Sequence, residues 1–185
     1  MTWRCSTPPL GGGQAPALRD IDVILLGHGS RRGSDTDDGL KDAVGRLQAR
    51  AGPQVRVRMA GFEFTRPGIP EAVDGLVEEG SRRMVIVPFF LFDGKHITVE
   101  IPEELERVRQ RHPGVELLYA RTLGVDSRLV DLVVERVHAA GPYDGVVLVN
   151  RGSRLQYDPG DRLRELASLI EERAGAPVAP AQAEY

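Results

Sequence analysis

The 185-residue sequence predicts an α/β protein in which a parallel sheet carries helices on both faces. Three observations support this prediction. Short apolar runs that are typical of buried strands alternate with segments whose apolar residues recur at helical spacing. Glycine or proline separates most neighbouring segments. A segment near the beginning of the chain is repeated near its end, which indicates a duplicated α/β unit.

The first two strand–helix pairs follow from the apolar pattern. An apolar run predicts a buried strand over residues 22–27, and a second strand is predicted over residues 55–64. Helices are predicted over residues 37–51 and 67–79, because their apolar residues recur at helical spacing. Glycine follows each helix directly and is expected to end it. The apolar faces comprise Leu40, Val44 and Leu47 in the first helix and Ile69, Ala72, Val73 and Leu76 in the second.

The same alternation continues through the middle of the chain. Residues 84–91 are almost wholly apolar and predict a third strand, which is followed by a helix over about residues 99–112. Pro102 falls near the first turn of that helix, where proline is tolerated. A fourth strand is predicted over residues 115–120 and a fourth helix over residues 127–140. Strands joined through helices are expected to pair in parallel and to be covered on both faces.

A repeat relates two distant parts of the chain. Residues 145–154 match residues 22–31 at a constant offset (152 − 29 = 123), and matches at this offset continue to Val55 and Val178. We interpret the repeat as a duplicated α/β unit whose second copy is incomplete. The second strand of that copy is expected to be poor, because Pro177 and Pro180 flank it and proline does not suit a central strand.

The repeat and the composition together predict three segments. Residues 1–20 contain proline and glycine clusters and are expected to form a disordered leader. Residues 21–142 are expected to form the α/β unit that carries the functional site. Residues 143–185 are expected to form the partial second copy.

Composition argues against several classes of function. The formal net charge of −3 gives no reason to expect a nucleic-acid partner. No apolar run approaches the roughly 18 residues that a membrane-spanning helix needs, and the first residues lack the apolar core of a signal peptide. Cys5 is the only cysteine, which rules out an internal disulfide framework and fits a reducing compartment. A cytoplasmic protein without a membrane partner is therefore expected.

Two histidines follow predicted strands. His28 comes directly after the first strand, within Gly-His-Gly-Ser, and His96 follows the third apolar run, within Asp-Gly-Lys-His. Because open α/β sheets bind ligands at the carboxyl ends of their strands, both histidines are expected at that edge. Imidazole is the commonest metal ligand in proteins, so the pair predicts a metal site, although one strand-end histidine alone would favour a structural role. His112, at a predicted helix end, and His138, within a helix, are expected to serve no metal.

Three motifs in this order resemble a known family. They are Gly-His-Gly-Ser at residues 27–30, Phe-Glu-Phe-Thr-Arg-Pro at residues 62–67, and the stretch from Val-Pro-Phe-Phe to Glu-Ile-Pro at residues 87–102. They are similar to motifs of the CbiX/SirB sirohydrochlorin chelatases, which are class II chelatases. These lyases insert cobalt or iron into sirohydrochlorin on the routes to cobalamin and sirohaem. The resemblance implies a chelatase-like (flavodoxin-like) α/β fold.

The resemblance also implies roles for individual residues. His28, His96 and Glu63 would bind the metal and act in catalysis. Co²⁺ or Fe²⁺ would be a substrate, and no organic cofactor would be needed. The second copy would lack an independent metal site, because Arg151 stands where the first copy has His28.

The resemblance names sirohydrochlorin, which carries many carboxylates, as the partner. Cations and apolar rings near the histidines are therefore expected to contact it. The candidates for substrate binding are Ser30, Arg31, Arg32, Lys95 and Phe92. A homodimer is also expected, because a symmetry mate could close a cleft that lacks its second half.

Two alternatives stay open on the sequence alone. One is a non-catalytic protein that binds a metal or a tetrapyrrole. The other is a nucleotide or phosphate-ester enzyme, which is weakly supported because no Gly-Lys-Ser/Thr follows the glycines near the first strand. Fold alone cannot decide between them, since this architecture carries many functions.

Overall fold

The computed structural model describes residues 21–29, 34–151 and 160–183. The predicted leader and the candidate site residues Ser30, Arg31 and Arg32 lie outside these residues. The described chain folds as two compact units. The first comprises the chain up to Phe90 together with Val99–Thr122, and the second comprises Leu91–Thr98 together with the chain from Leu123 onwards.

Strands and helices alternate along the described chain, as the apolar pattern predicted. A π-helical turn, His96–Glu100, leads into the third helix. The elements in order are β1 (Asp22–Gly27), α1 (Ser34–Ala51), β2 (Val57–Gly61), α2 (Ile69–Glu78), β3 (Arg83–Pro88), α3 (Ile101–Arg111), β4 (Glu116–Tyr119), α4 (Ser127–Ala139), β5 (Val146–Arg151), α5 (Gly160–Ala174) and β6 (Val178–Ala183).

The described part of the first unit is built on a four-stranded parallel sheet in the order β2-β1-β3-β4. Leu25, in the middle of β1, pairs with Met59 of β2 on one side and with Val87 of β3 on the other. All the pairings in this sheet are parallel. This arrangement confirms the predicted α/β architecture, and it places β1 at the centre of the sheet.

Helices cover both faces of this sheet. On one face, Val23 of β1 lies in a cluster with Val44 and Leu47 of α1. Side chains alternate between the two faces of a strand, so Ile24 and Leu26 point to the other face, where both are fully buried. On that face α2 packs against β1 and β2 and lies beside α3. Double coverage explains why these strands are apolar at successive positions.

The second unit repeats the strand–helix–strand pattern of the first. β5 and β6 pair in parallel, and α5 connects them. In each copy, a side chain of the helix holds the turn that follows it. The Val57 N–H donates to Gln48 Oε1 (2.9 Å), and the Val178 N–H donates to Glu171 Oε2 (2.8 Å). These two acceptors are separated by the offset of the sequence repeat (171 − 48 = 123), whereas the two donors are 121 residues apart (178 − 57 = 121). The turn of the second copy is therefore two residues shorter, and Val178 takes the place of Val57, not of Val55 as the ungapped match predicted. The duplicated unit predicted from the sequence is therefore present in the fold.

The second unit also contains α4, which lies before the predicted boundary at residue 142. α4 packs against α5, and Val130 of α4 is buried in the core of the second unit. That core also contains Leu166, Ala167, Ile170 and Val178.

Proline does not prevent the second strand of the repeat. Pro180 lies inside β6 and pairs with Leu148, although the sequence predicted a poor strand there. The Val178 N–H points away from β5, since it donates to Glu171. Backbone N–H groups alternate in direction along a strand, so the nitrogen of Pro180 also points away from β5. Proline at this position therefore costs the ladder no hydrogen bond.

One face of the β5–β6 pair differs from its counterpart in the first unit. Val147 and Val149 are 66% and 59% exposed. The positions that match them at the repeat offset, Ile24 and Leu26, are 0% exposed. The second unit thus presents an apolar strip, defined by Val147 and Val149, where the first unit has a covered face.

An ion pair anchors the beginning of β1 to the segment before β2. The Arg56 guanidinium donates to the Asp22 carboxylate at 2.6 Å, and the Arg56 backbone N–H donates to it at 2.9 Å. Burial alone would raise the pKa of the Asp22 carboxyl, but hydrogen bonds from Arg56 and Ser81 outweigh burial and hold that pKa below its ordinary value. The pair therefore stabilises the fold only while Asp22 is ionised.

We expect Asp22→Asn to lower the free energy of unfolding by about 2 kcal/mol at neutral pH, because it removes the charge from a nearly buried pair. A lowered folded-state pKa means that the contribution is fully present above the ordinary value of 3.8 and is lost as the pH falls through the lowered value. Urea unfolding of both proteins at about pH 7 and at about pH 2 measures this. The difference should shrink at the acidic pH, and an equal difference at both would contradict the assignment.

Among the residues that the structure describes, no helix is both long enough and apolar enough to cross a membrane.

Candidate metal-binding site

The candidate site lies at the switch point of the first unit's sheet, where successive strands are added on opposite sides of β1. From β1 the chain proceeds to β2 on one side, and β3 then pairs on the opposite side of β1. The crevice beyond the carboxyl ends of such a pair of strands is where open α/β sheets bind their ligands. His28 follows the last residue of β1 directly, so it lies at this point, as predicted from the sequence.

His28 is an exposed residue with an aromatic neighbour. Its ring lies 6.1 Å from the ring of Phe90, with an angle of 44° between the two planes. Phe90 follows β3, whose pairing with β1 continues beyond the strand through the Phe89 N–H, which donates to the Leu26 carbonyl at 2.8 Å. The ends of β1 and β3 together therefore position the imidazole beside an apolar ring.

Backbone hydrogen bonds bring Glu63 to His28. Beyond the end of β2, the Phe62 N–H donates to the Gly27 carbonyl at 2.9 Å, and the Glu63 N–H donates to the His28 carbonyl at 2.8 Å. The pairing of β1 with β2 thus extends past both strands. An imidazole and a carboxylate, both of which bind divalent metals, are carried side by side on adjacent backbones.

Gly29 allows the segment after β2 to approach this closely. Its φ of +88° lies in the left-handed region, and a Cβ at this position would stand 1.6 Å from the Glu63 carbonyl oxygen. Only glycine fits such a contact without moving the backbone. The glycine that follows His28 therefore determines how near Glu63 can lie.

A tight turn follows Glu63. The Thr65 N–H donates to the Glu63 carbonyl at 2.6 Å, which closes a three-residue turn around Phe64. Phe64 has a φ of +58°, the only positive φ recorded for a non-glycine residue in the described chain. This turn ends β2 at Gly61, whereas the sequence predicted a strand that continued to residue 64.

His96 occupies a different kind of position from His28. β3 ends at Pro88, before the predicted residue 91, and His96 begins the π-helical turn that precedes α3. The Thr98 N–H and hydroxyl both donate to the Gly94 carbonyl at 3.0 Å, which holds this turn. Single π-helical turns are frequent at functional sites. His96 therefore lies on a helical turn of the second unit, not directly at the end of a strand.

The predicted site residues that the structure describes fall in both units. It brings His28 and Glu63 together in the first unit, and it assigns His96 and the exposed Lys95 to the second. Phe92 packs against the buried cluster of the second unit, so its location is explained by the core, and substrate contact by Phe92 stays a prediction. Over residues 21–29, 34–151 and 160–183, no group of three or more His, Cys, Asp and Glu residues is placed to hold a metal ion.

The remaining histidines lie where the sequence analysis expected them. His112 ends α3, and its Nε2 lies 2.7 Å from a carboxylate oxygen of Asp74. His138 is an exposed residue of α4 whose ring stacks beside Tyr143. Both positions have a structural explanation.

Two aromatic residues lie at the site besides the predicted substrate contacts. Phe90 contacts His28, and Phe64 follows Glu63 with 55% of its surface exposed. Phe90 lies in an apolar run whose phenylalanines suit a buried core as well as an apolar wall for the macrocycle, so the sequence left its role open. Phe64 has no sequence signal beyond its place next to Glu63, since a positive φ at phenylalanine cannot be read from the residues.

The fold and the site together define an α/β protein with a histidine and a carboxylate at the switch point of a parallel sheet. The chain matches the family CbiX over residues 22–140. This match covers well over half of the sequence, and the chain belongs to the CbiX family.

Individual relatives agree with this assignment. The chain is 34% identical over 157 residues to a sirohydrochlorin ferrochelatase of Priestia megaterium, a match that covers 80% of this chain and 56% of the relative. It is 29% identical over 138 residues to a sirohydrochlorin cobaltochelatase of Methanocaldococcus jannaschii, which covers 62% of this chain and 95% of the relative.

A solved structure shows the same fold. SirB from Bacillus subtilis with Fe³⁺ superimposes with a TM-score of 0.77 at 26% identity, over 88% of this chain and 65% of that one. The chain spans little more than half the length of the Priestia ferrochelatase.

Proposed function

We propose that this protein inserts Co²⁺ or Fe²⁺ into sirohydrochlorin. The observation that carries the proposal is the placement of Glu63 beside His28 at the switch point of the sheet, through the Glu63 N–H···O hydrogen bond to His28. Relatives named as ferrochelatase and cobaltochelatase of sirohydrochlorin support the substrate and both metals. The metal is then a substrate that passes through the site, not a resident cofactor.

The donor set suits transfer of a metal better than its storage. Neutral imidazole and carboxylate bind Co²⁺ and Fe²⁺, and a site without thiolate is expected to exchange its metal more readily than a thiolate cage would. His28 and Glu63 supply one donor of each kind. His96 stays a predicted metal ligand on the strength of its motif alone. Open coordination positions would then remain for the nitrogens of the macrocycle.

Insertion also requires that two pyrrole protons leave the macrocycle. A neutral imidazole or a carboxylate can accept such a proton when it lies within hydrogen-bond reach. His28 and Glu63 are two residues of the first unit that can do so at this edge. We propose that His28 and Glu63 each accept one of the two protons as the metal moves to the ring nitrogens, and that both protons then pass to water.

Recognition of the substrate needs cations for its carboxylates. Lys95 is exposed, beside His96, and carries one such charge. Ser30, Arg31 and Arg32 follow His28 in the chain and stay predicted substrate contacts. Arginine is suited to this role because its planar guanidinium binds a carboxylate with two hydrogen bonds.

A non-catalytic metal or tetrapyrrole carrier is the alternative, and counting turnovers separates the two. Protein is mixed anaerobically with about a tenfold excess of both sirohydrochlorin and Co²⁺, and the absorbance of the metallated product is followed beyond the spontaneous reaction. A catalyst converts many equivalents per chain. Conversion that stops at one equivalent would support the carrier and would reject the proposed function.

We further propose that the chain acts as a homodimer in the cytoplasm. The apolar strip of Val147 and Val149 supports a partner of the same kind, because the matching face of the first unit is fully covered. A single cysteine in the sequence suits a reducing compartment.

Charging the apolar strip is expected to dissociate this dimer. Sedimentation velocity of the wild-type chain should give twice the mass of a 20.3 kDa protein, and the double variant Val147→Lys, Val149→Lys should give a single chain. Leu132→Lys, at an exposed apolar residue of α4, is the matched control and should remain dimeric. A wild-type monomer at working concentration would contradict the dimer.

A further inference from the structure

We propose that Phe64 is a substrate-binding residue whose ring packs on the flat apolar face of the tetrapyrrole. The inference rests on the proposed function and adds to it a specificity-determining residue that acts on the macrocycle and not on the metal. Phe64 directly follows Glu63, and it belongs to the same turn.

The backbone of Phe64 is held in a conformation that phenylalanine rarely adopts. Its φ of +58° is the central angle of a three-residue turn closed by the 2.6 Å hydrogen bond from Thr65 N–H to the Glu63 carbonyl. Turns with a positive central φ are rare and strained, and a bulky residue pays more for one than glycine would. Strain of this kind is retained mainly at functional sites.

The surroundings impose this turn on Phe64. On one side Glu63 is fixed to the His28 carbonyl, and on the other Thr65 is 5% exposed. The β-carbon position of Gly61 would stand 2.5 Å from Cβ of Thr65, so this residue is seated directly on the end of β2. Neighbouring contacts therefore fix the backbone.

The side chain lies at the edge of the sheet that carries the site. Phe64 is 55% exposed and Phe89 is 45% exposed, although both are large and apolar. They follow β2 and β3, the two strands that flank β1 and His28. The two strands that pair with β1 are thus each followed by an exposed phenylalanine.

A flat conjugated ligand fits this arrangement. Aromatic rings pack favourably on other π-systems and bury apolar surface as they do so. The exposed ring of Phe64, on the residue next to Glu63, would contact a macrocycle held over the metal. A bare metal ion gains nothing from such contacts, so loss of the Phe64 ring should weaken tetrapyrrole binding alone.

Three substitutions separate the ring from the backbone. Phe64→Ala removes the ring and keeps the strained turn, Phe64→Gly removes the ring and relieves the turn, and Phe64→Tyr keeps an aromatic ring. Sirohydrochlorin is titrated without metal by following its fluorescence, and Co²⁺ is titrated separately. Leu132→Ala, at a 47% exposed leucine of α4, is the matched control. Circular dichroism checks that each variant is folded.

We expect Phe64→Ala and Phe64→Gly to weaken sirohydrochlorin binding by about tenfold, while Phe64→Tyr and Leu132→Ala bind as the wild type does. Co²⁺ affinity should be unchanged in every variant. Wild-type affinity in Phe64→Gly would overturn the inference, because sirohydrochlorin binding would then not depend on the aromatic ring. A wild-type chain that binds no sirohydrochlorin would instead reject the proposed function, and the role of Phe64 with it.

Discussion

Gly29→Ala is expected to lower the free energy of unfolding by roughly 3 kcal/mol or more. Two costs combine at this position. Alanine disfavours the φ of +88°, and its Cβ would stand 1.6 Å from the Glu63 carbonyl oxygen, so one of the two backbones must move. Because the same contact seats Glu63 beside His28, insertion of metal should fall together with stability. Urea unfolding and the initial rate of insertion measure the two effects.

Gly80→Ala is the matched control for this change. Gly80 also has a positive φ, +90°, but a Cβ there would meet nothing within 4 Å. Its replacement should therefore cost only the conformational penalty, about 1 kcal/mol, and should leave activity intact. Equal losses of stability in Gly29→Ala and Gly80→Ala would show that the approach to Glu63 does not matter.

His28→Ala is expected to abolish metal insertion and to weaken Co²⁺ binding at least about 100-fold. Loss of a residue that merely orients a ligand costs 10-fold to 100-fold in affinity, so loss of a ligand itself should cost more. His28 is exposed, which predicts that its removal leaves the stability of the fold almost unchanged. Equilibrium titration with Co²⁺ and urea unfolding separate the two properties.

His138→Ala serves as the histidine control, because His138 is exposed on α4. It should bind Co²⁺ as the wild type does. The account of the site would fail if His28→Ala retained wild-type affinity, or if both variants lost affinity to the same extent.

The architecture was predictable because each element has a strong local pattern. Val23 and Ile24 are both apolar since the strand is covered on both faces, and the resulting run identifies β1 without any knowledge of tertiary structure. The repeat was equally visible, since the helices that carry Gln48 and Glu171 align at a constant offset.

The ends of elements depended on contacts that the sequence does not display. β2 ends at Gly61 because Phe64 turns through a positive φ, and no residue preference foretells that at phenylalanine. Pro180 was expected to spoil a strand, yet its nitrogen faces away from the partner. Because the register of β6 directs the Pro180 nitrogen away from β5, the strand accommodates this proline.

The position of His96 shows a second limit. The apolar residues from 84 to 92 looked like one strand, but Phe92 packs in the core of the second unit and β3 ends at Pro88. A run of apolar residues indicates burial without specifying which core buries it. The pairing of His28 with Glu63 was implied by family resemblance alone, and Gly29 is the physical reason for it.

The most direct test of the account is the initial rate of metal insertion under anaerobic conditions. Sirohydrochlorin is mixed with Co²⁺ or Fe²⁺ and with wild-type protein, His28→Ala or buffer, and the change in absorbance is followed. We expect the wild type to exceed the spontaneous rate with at least one metal and His28→Ala to fall to that rate. A wild-type rate equal to that of buffer, or full activity in His28→Ala, would contradict it.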